Sequence, residues 1–136
     1  MDDRGPASIV IHRRIEWSDT DASGHYHHTA AMRLFEAAET ELLARLGILD
    51  EIYGRLPRVH FALDFRRVLR FRDAVEVRAA VARVGRSSIG YQFQIVRDGE
   101  ECASGEVTAA LVRASGEGTE PWPAAYRELL TRAGPQ

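Results

Sequence analysis

Apolar and polar residues alternate from residue 9 to residue 17. Ile9, Ile11, Ile15 and Trp17 fall on one side and His12, Arg14 and Glu16 on the other, with Arg13 interrupting the apolar row. A period of two marks a half-buried strand. The period then lengthens. Ala31, Phe35, Ala38, Leu42 and Leu46 recur every three or four residues, with Arg33, Glu36 and Thr40 opposite them. This predicts an amphipathic helix of about 18 residues. Gly47 is its natural stop, and Thr29 or His28 its N-cap. A connector, 48–57, ends at Pro57. Four more period-two segments follow: Phe61, Leu63, Phe65; Val75, Val77, Ala79, Val81; Ile89, Tyr91, Phe93, Ile95; and Val107, Ala109, Leu111. Gly85-Arg86-Ser87-Ser88 reads as a turn, and Asp98-Gly99 as a tight hairpin. Residues 114–123, with two glycines and two prolines, read as a loose linker, and Ala124 to Arg132 as a short terminal helix.

One long helix among five antiparallel strands has a simple packing solution, in which the sheet curls around the helix. The outer face and edges of that sheet still need cover, so self-association is expected. Strand order cannot be read from periodicity.

The chain has 136 residues, 45% of them apolar and 28% charged. That is the size and balance of one globular domain, with its core at about 8–114 and the linker and short helix at 115–136. The net charge of −2, with no cationic run interleaved with aromatics, argues against nucleic acid as a partner. All 18 basic residues are arginine, so every cationic contact is a guanidinium fork, a shape suited to phosphate. Cys102 is the only cysteine. It excludes an internal disulfide and falls in a predicted strand, as a buried inert thiol. The first residues have no apolar run for a signal peptide, and no stretch is long enough to span a membrane, so a cytoplasmic protein is the default.

The chemistry concentrates between residues 17 and 39. Asp19 and Asp21 stand in a turn-rich segment, followed by Gly24, then His25, His27 and His28, then the helix. A carboxylate beside a helix N-terminus can serve as nucleophile or base, while free backbone N–H groups hold a developing oxyanion. The competing reading of Asp21 is an Asx-turn, and for Asp19 a turn-forming role is preferred. Three histidines and two aspartates invite a metal reading, but no second ligand cluster lies elsewhere and His60 is isolated; no metal and no cofactor are expected.

The segment I-E-W-S-D-T-D-A-S-G-H-Y-H-H resembles the active-site start of the hotdog-fold acyl thioesterases, closest to the 4-hydroxybenzoyl-CoA thioesterase and YbgC-like branch. The resemblance extends over 9–113, through L-D-F-R-R-V-L-R-F-R-D-A-V-E-V, V-G-R-S-S-I-G-Y-Q-F-Q-I and A-S-G-E-V-T-A-A-L-V-R. It implies an α+β hotdog fold, a five-stranded antiparallel sheet wrapped around one long central helix. It also implies homodimers or homotetramers with active sites at the subunit boundary. The substrate implied is an acyl-CoA or acyl-carrier-protein thioester. Asp21 maps to the catalytic aspartate, and His28 to the position whose side chain or backbone N–H polarises the thioester carbonyl. Trp17, His25, Tyr26, His27, Thr29 and Glu36 are expected around the substrate. Arg86, Ser87 and Ser88 are expected at the pantetheine or nucleotide end, and Arg66, Arg67, Arg70 and Arg72 are a second basic run able to meet phosphates or a carrier protein. Where relatives carry small or aliphatic residues after the glycine, this chain has His25, Tyr26 and His27, which points to a different acyl pocket. Two alternatives stand beside hydrolysis. A hotdog dehydratase or hydratase would need a D-x-N-P-x-H type motif, which is absent; the other is a non-catalytic acyl-binding module.

Overall fold

The computed structural model describes residues 4–136. Strand β1 (Ser8–Arg14) leads through a single 3-10 turn (Trp17–Asp19) to helix α1 (His28–Arg45). A four-residue helix α2 (Leu49–Ile52) precedes strands β2 (Arg58–Phe65), β3 (Ala74–Val84), β4 (Ser88–Arg97) and β5 (Glu100–Ala110), and helix α3 (Ala124–Arg132) closes the chain. The five strands form one antiparallel sheet in the order β1-β3-β4-β5-β2.

Each period-two row lies on the inner face of this sheet. Val77, Phe93, Ile95 and Val107 are fully or almost fully buried there, under Leu34, Phe35, Ala38 and Leu42 of α1. The Phe35 ring meets Tyr91 at 5.2 Å and Phe93 at 5.1 Å between centroids. Helix α1 runs for the 18 residues expected and stops at Gly47, whose φ of +77° suits a residue without Cβ. The Asp98-Gly99 hairpin is also present, with positive φ at both residues (51° and 79°), the backbone of a type I′ turn.

Four expectations need correction. The N-cap of α1 is neither Thr29 nor His28 but His27, whose ring accepts the Thr29 N–H. The first strand ends at Arg14, so Trp17 belongs to the 3-10 turn and is 76% exposed. The connector before β2 contains α2, whose Ile52 is buried in the core. Residues 114–123 are not loose: Val112 bridges Thr119, and Trp122 is buried. The Trp122 Nε1 donates to Ser88 O at 2.8 Å, and Ala7 N donates to Leu130 O at 3.0 Å, so the C-terminal segment is packed onto the sheet.

Strand β2 is different from the others. Phe61, Leu63 and Phe65 do face inward, opposite Val107, Gly105 and Ala103. Yet α1 packs mainly on β1 and β3, and β2 is an outer strand with only β5 beside it. Phe61 and Phe65 therefore remain 40% and 47% exposed, and Val59 62%. Among the described residues, no helix is long and apolar enough to cross a membrane.

Candidate active site

The loop between β1 and α1 is built on Asp19. Its carboxylate accepts the Glu16 N–H at 2.7 Å, closing the 3-10 turn. It also receives a two-pronged bond from Arg33, with Nε to Oδ1 at 2.7 Å and Nη2 to Oδ2 at 2.6 Å. Asp19 is only 4% exposed. Burial alone would raise its pKa, but the Arg33 hydrogen bonds, the Glu16 N–H and the guanidinium charge outweigh it and hold the carboxyl below its ordinary value. The Asp19 carbonyl accepts the His27 N–H. Asp19 is thus the clamp between loop and helix, the turn-forming role preferred from sequence. Its partner Arg33 carries no sequence signal beyond its place on the polar side of the helix, where a charge reads as solvated.

Beyond the clamp the chain doubles back as a small hairpin. Thr20 bridges Tyr26, Asp21 N donates to His25 O at 3.1 Å, and Gly24 N donates to Asp21 O at 3.0 Å. Gly24 takes φ +83°, which favours glycine at the tip. Asp21 Oδ1 accepts both the Ser23 N–H at 2.8 Å and the Ser23 hydroxyl at 2.5 Å. These two bonds, and the nearby His27 and His25, lower the Asp21 pKa. The Asx-turn is therefore real, and it occupies one oxygen only. Among the described residues Oδ2 has no partner, and the side chain is exposed. Ser23 carries no signal in the sequence apart from its place two residues after the acid.

The hairpin leads directly into α1. His27 Nδ1 takes the Thr29 N–H at 3.2 Å and lies 2.8 Å from Thr29 Oγ1. With the Thr29 N–H occupied and the Ala30 N–H bonded to His27 O, the His28 N–H is the open donor of the first turn among the described residues. The His28 ring lies 4.2 Å from that of His27 and is exposed. No group of three or more His, Cys, Asp or Glu gathers in metal-holding geometry among the described residues.

Tyr26 is buried, its ring edge-on to Phe65 at 5.6 Å. Burial pushes its phenol up to about 12. His25, Tyr26, Phe65, Arg66, Arg67 and Val68 line a pocket of about 300 Å³ beside the hairpin. Trp17 meets Phe71 edge-on at 5.9 Å on the same end of the sheet.

Two groups of expected site residues lie elsewhere in the chain. Glu36 is eight residues along α1 from His28, about 12 Å down the axis. It is exposed and 3.3 Å from the Arg58 Nη2. Behind it, Glu39 is 7% exposed and grips Arg58 at 2.6 and 3.0 Å. The fully buried Tyr91 hydroxyl faces this pair without a hydrogen bond of normal geometry. Burial first, then the Glu39 charge, push that phenol well above its usual range. The Arg86-Ser87-Ser88 turn lies at the far end of β3 from Ala74, which pairs with Arg14 where the β1–α1 loop begins. Eleven strand residues separate the two ends, roughly 30 Å. Arg86 is exposed, while the Arg86, Ser87 and Ser88 carbonyls accept bonds from Trp122 and Leu111.

The sequence profile of the Thioesterase-like superfamily matches residues 15–130, from the β1–α1 loop to α3. The chain belongs to this superfamily. No protein of curated function matches it at the sequence level. Its fold is that of solved hotdog structures. A protein of Thermus thermophilus is 27% identical, with a TM-score of 0.80 over 89% of this chain and 95% of the other. A gentisyl-coenzyme A thioesterase is 23% identical, with a TM-score of 0.78 over 89% and 98%. A 1,4-dihydroxy-2-naphthoyl-CoA thioesterase from Synechocystis is 15% identical, with a TM-score of 0.79 over 90% and 95%. The five-stranded α+β hotdog architecture read from the sequence is therefore the architecture of this superfamily member.

Proposed function

We propose that this chain hydrolyses an acyl-CoA or acyl-carrier thioester, in the manner of the 4-hydroxybenzoyl-CoA and YbgC-like thioesterases. One observation carries the reading: Asp21 presents an unpartnered Oδ2 on a hairpin that ends at the open His28 N–H of α1. In the direct route, Oδ2 adds to the thioester carbonyl while the His28 N–H and the helix dipole hold the oxyanion. Collapse breaks the C–S bond, expels the thiolate and leaves an acyl-aspartyl anhydride. Water then cleaves the anhydride, releasing the acid and restoring Asp21. In the alternative route, Oδ2 takes a proton from a water that attacks the carbonyl instead.

Tyr26 and Phe65 make the neighbouring pocket aromatic, which supports an aromatic acyl group. Two structural neighbours act, by name, on aromatic acyl-CoA thioesters. A second copy of the chain completes the site in this reading. Antiparallel pairing of two β2 strands about a two-fold axis covers Phe61 and Phe65 and brings the start of one β2, with Arg58 and Glu36, beside the Phe65 end of the other. Trp17, His25, His27 and Thr29 shape the substrate approach.

Steady thiol release from aromatic acyl-CoA, lost at least about a thousandfold in Asp21→Asn, is the expected result. Thiol release undiminished in that variant overturns the assignment. Single turnover in heavy-oxygen water tests the direct route: label in Asp21 reports an acyl-aspartyl anhydride opened at its aspartyl carbonyl.

A further inference from the structure

The first turn of α1 is closed by a ring nitrogen. In most helices the N–H two residues into the helix meets the side-chain oxygen of a capping Ser, Thr, Asp or Asn. Here the Thr29 N–H meets His27 Nδ1 at 3.2 Å, with the Thr29 hydroxyl oxygen 2.8 Å from the same nitrogen. A hydroxyl or amide oxygen accepts a hydrogen bond at every working pH, but an imidazole nitrogen accepts only while it carries no proton. Histidine is also the side chain that exchanges a proton near neutral pH. One proton on Nδ1 is therefore enough to open this cap.

The groups about the ring tie the cap to Asp21 and His28. The His27 N–H is bonded to the Asp19 carbonyl, and the Asp19 carboxylate to Arg33 of α1. The backbone at residue 27 is thus pinned from both sides, and the ring is the part of the cap that can change. With the Thr29 N–H on the ring and the Ala30 N–H on the His27 carbonyl, the His28 N–H is left as the open donor among the described residues. Asp21 and His25 act on the ring from the hairpin, and the His28 ring lies 4.2 Å away on α1. Arg70 stands behind His25, to which it is bridged from the β2–β3 connection. A proton on His27 sets a cation at the positive end of the helix dipole. It also frees the Thr29 N–H beside that of His28, and it attracts Asp21, whose Oδ2 is unpartnered among the described residues.

We infer that His27 is a positioning residue for thioester hydrolysis: its uncharged ring, by accepting the Thr29 N–H, holds the first turn of α1 so that the His28 N–H meets the oxyanion, and protonation of the ring releases that turn and slows the reaction. The inference rests on the acyl thioester reading of Asp21 and His28. It gives His27 an action through the helix, beyond its place along the substrate approach.

The test compares wild type, His27→Ala and His27→Asn, since an Asn side-chain oxygen accepts the Thr29 N–H whatever the pH. Wild-type kcat on aromatic acyl-CoA is expected to fall about tenfold in a step of its own, on the neutral side of the limb that Asp21 protonation gives, with KM little changed. Removing one oxyanion donor outright costs about a hundredfold or more, and here the donor is loosened but kept. His27→Ala is expected to show the lower kcat already at neutral pH and to lack the step. His27→Asn is expected to recover most of what His27→Ala loses and to lack the step as well. A cap that served stability alone would leave the pH profile of the folded enzyme where it was. In NMR, the Thr29 amide and the His27 ring nitrogens are expected to shift together, at the midpoint of the kinetic step. The inference is overturned by a wild-type step in His27→Asn, by a proton on Nδ1 at neutral pH, or by a step that follows His25 or His28 instead. Asp21-dependent hydrolysis alongside any of these leaves the hydrolase reading in place. A Thr29 amide that follows the ring, with no thiol release from any acyl-CoA at any pH, would sink the hydrolase reading and leave the pH-sensitive cap standing.

Discussion

Asp19 and Asp21 are two residues apart and have opposite environments. Asp19 is buried and held by Arg33; Asp21 is exposed and shares one oxygen with Ser23. Ser23 lowers the Asp21 pKa by stabilising the ionised form. Ser23→Ala is expected to raise it, moving the acid limb of the kcat/KM profile to higher pH; an unmoved limb would show that Ser23 does not tune the reacting carboxylate. For Asp19 the linkage concerns stability. A folded-state pKa below the unfolded one contributes stability that is present above the unfolded pKa and lost as pH falls through the folded one. Arg33→Met is therefore expected to cost about 1–2 kcal/mol at neutral pH, allowing for the 39% exposure of the Arg33 side chain. The gap to wild type closes as pH drops below the carboxylate range. Denaturant melts at neutral and acid pH check both the size and the trend.

Among the elements, α1 carries the core on one side and, at its first turn, the proposed oxyanion donor. Its apolar side seals the sheet, and its first turn is finished by His27 instead of a more usual Ser, Thr, Asp or Asn. His27→Ala is expected to cost about 1 kcal/mol by freeing the Thr29 N–H, which calorimetry would register as a lower Tm. Strand β2 depends on a glycine. A Cβ at Gly105 would come within 2.6 Å of Ala62 O and 2.7 Å of the Phe93 ring. Gly105→Ala is expected to push β2 off β5 at a cost of about 1–3 kcal/mol. Faster hydrogen exchange confined to β2 would identify that displacement, and unchanged exchange would refute it.

The whole molecule is one sheet wrapped on one helix, with β2 left half-covered. Val59, Phe61 and Phe65 stand along an unpaired backbone edge, an arrangement that soluble chains usually bury or protect by charge. Phe61→Arg is expected to convert a dimer to a monomer and to abolish thiol release together, if the second copy completes the site. Sedimentation beside a thiol-release assay decides this, and a fully active monomer would place the whole site within one chain.

Apart from the 3-10 turn and the short α2, the order and type of the elements were legible because they depend on local periodicity and on a few backbone-specific residues. Period two marks the strands, the three-to-four spacing marks α1, and Gly47 and Asp98-Gly99 mark its stop and the last hairpin. The Asp21 loop stood out for the same reason, as acids, glycine and histidines set side by side in sequence. Tertiary structure alone decided the strand order, which sends β2 to the edge and leaves its phenylalanines exposed. It alone joined Asp19 to Arg33 and Glu39 to Arg58. It also separated the Arg86 turn from Asp21 by the length of a strand and set Arg70 against His25. A local pattern records which face of its own element a residue occupies; which distant charge or ring meets that face is settled only when the sheet closes over the helix.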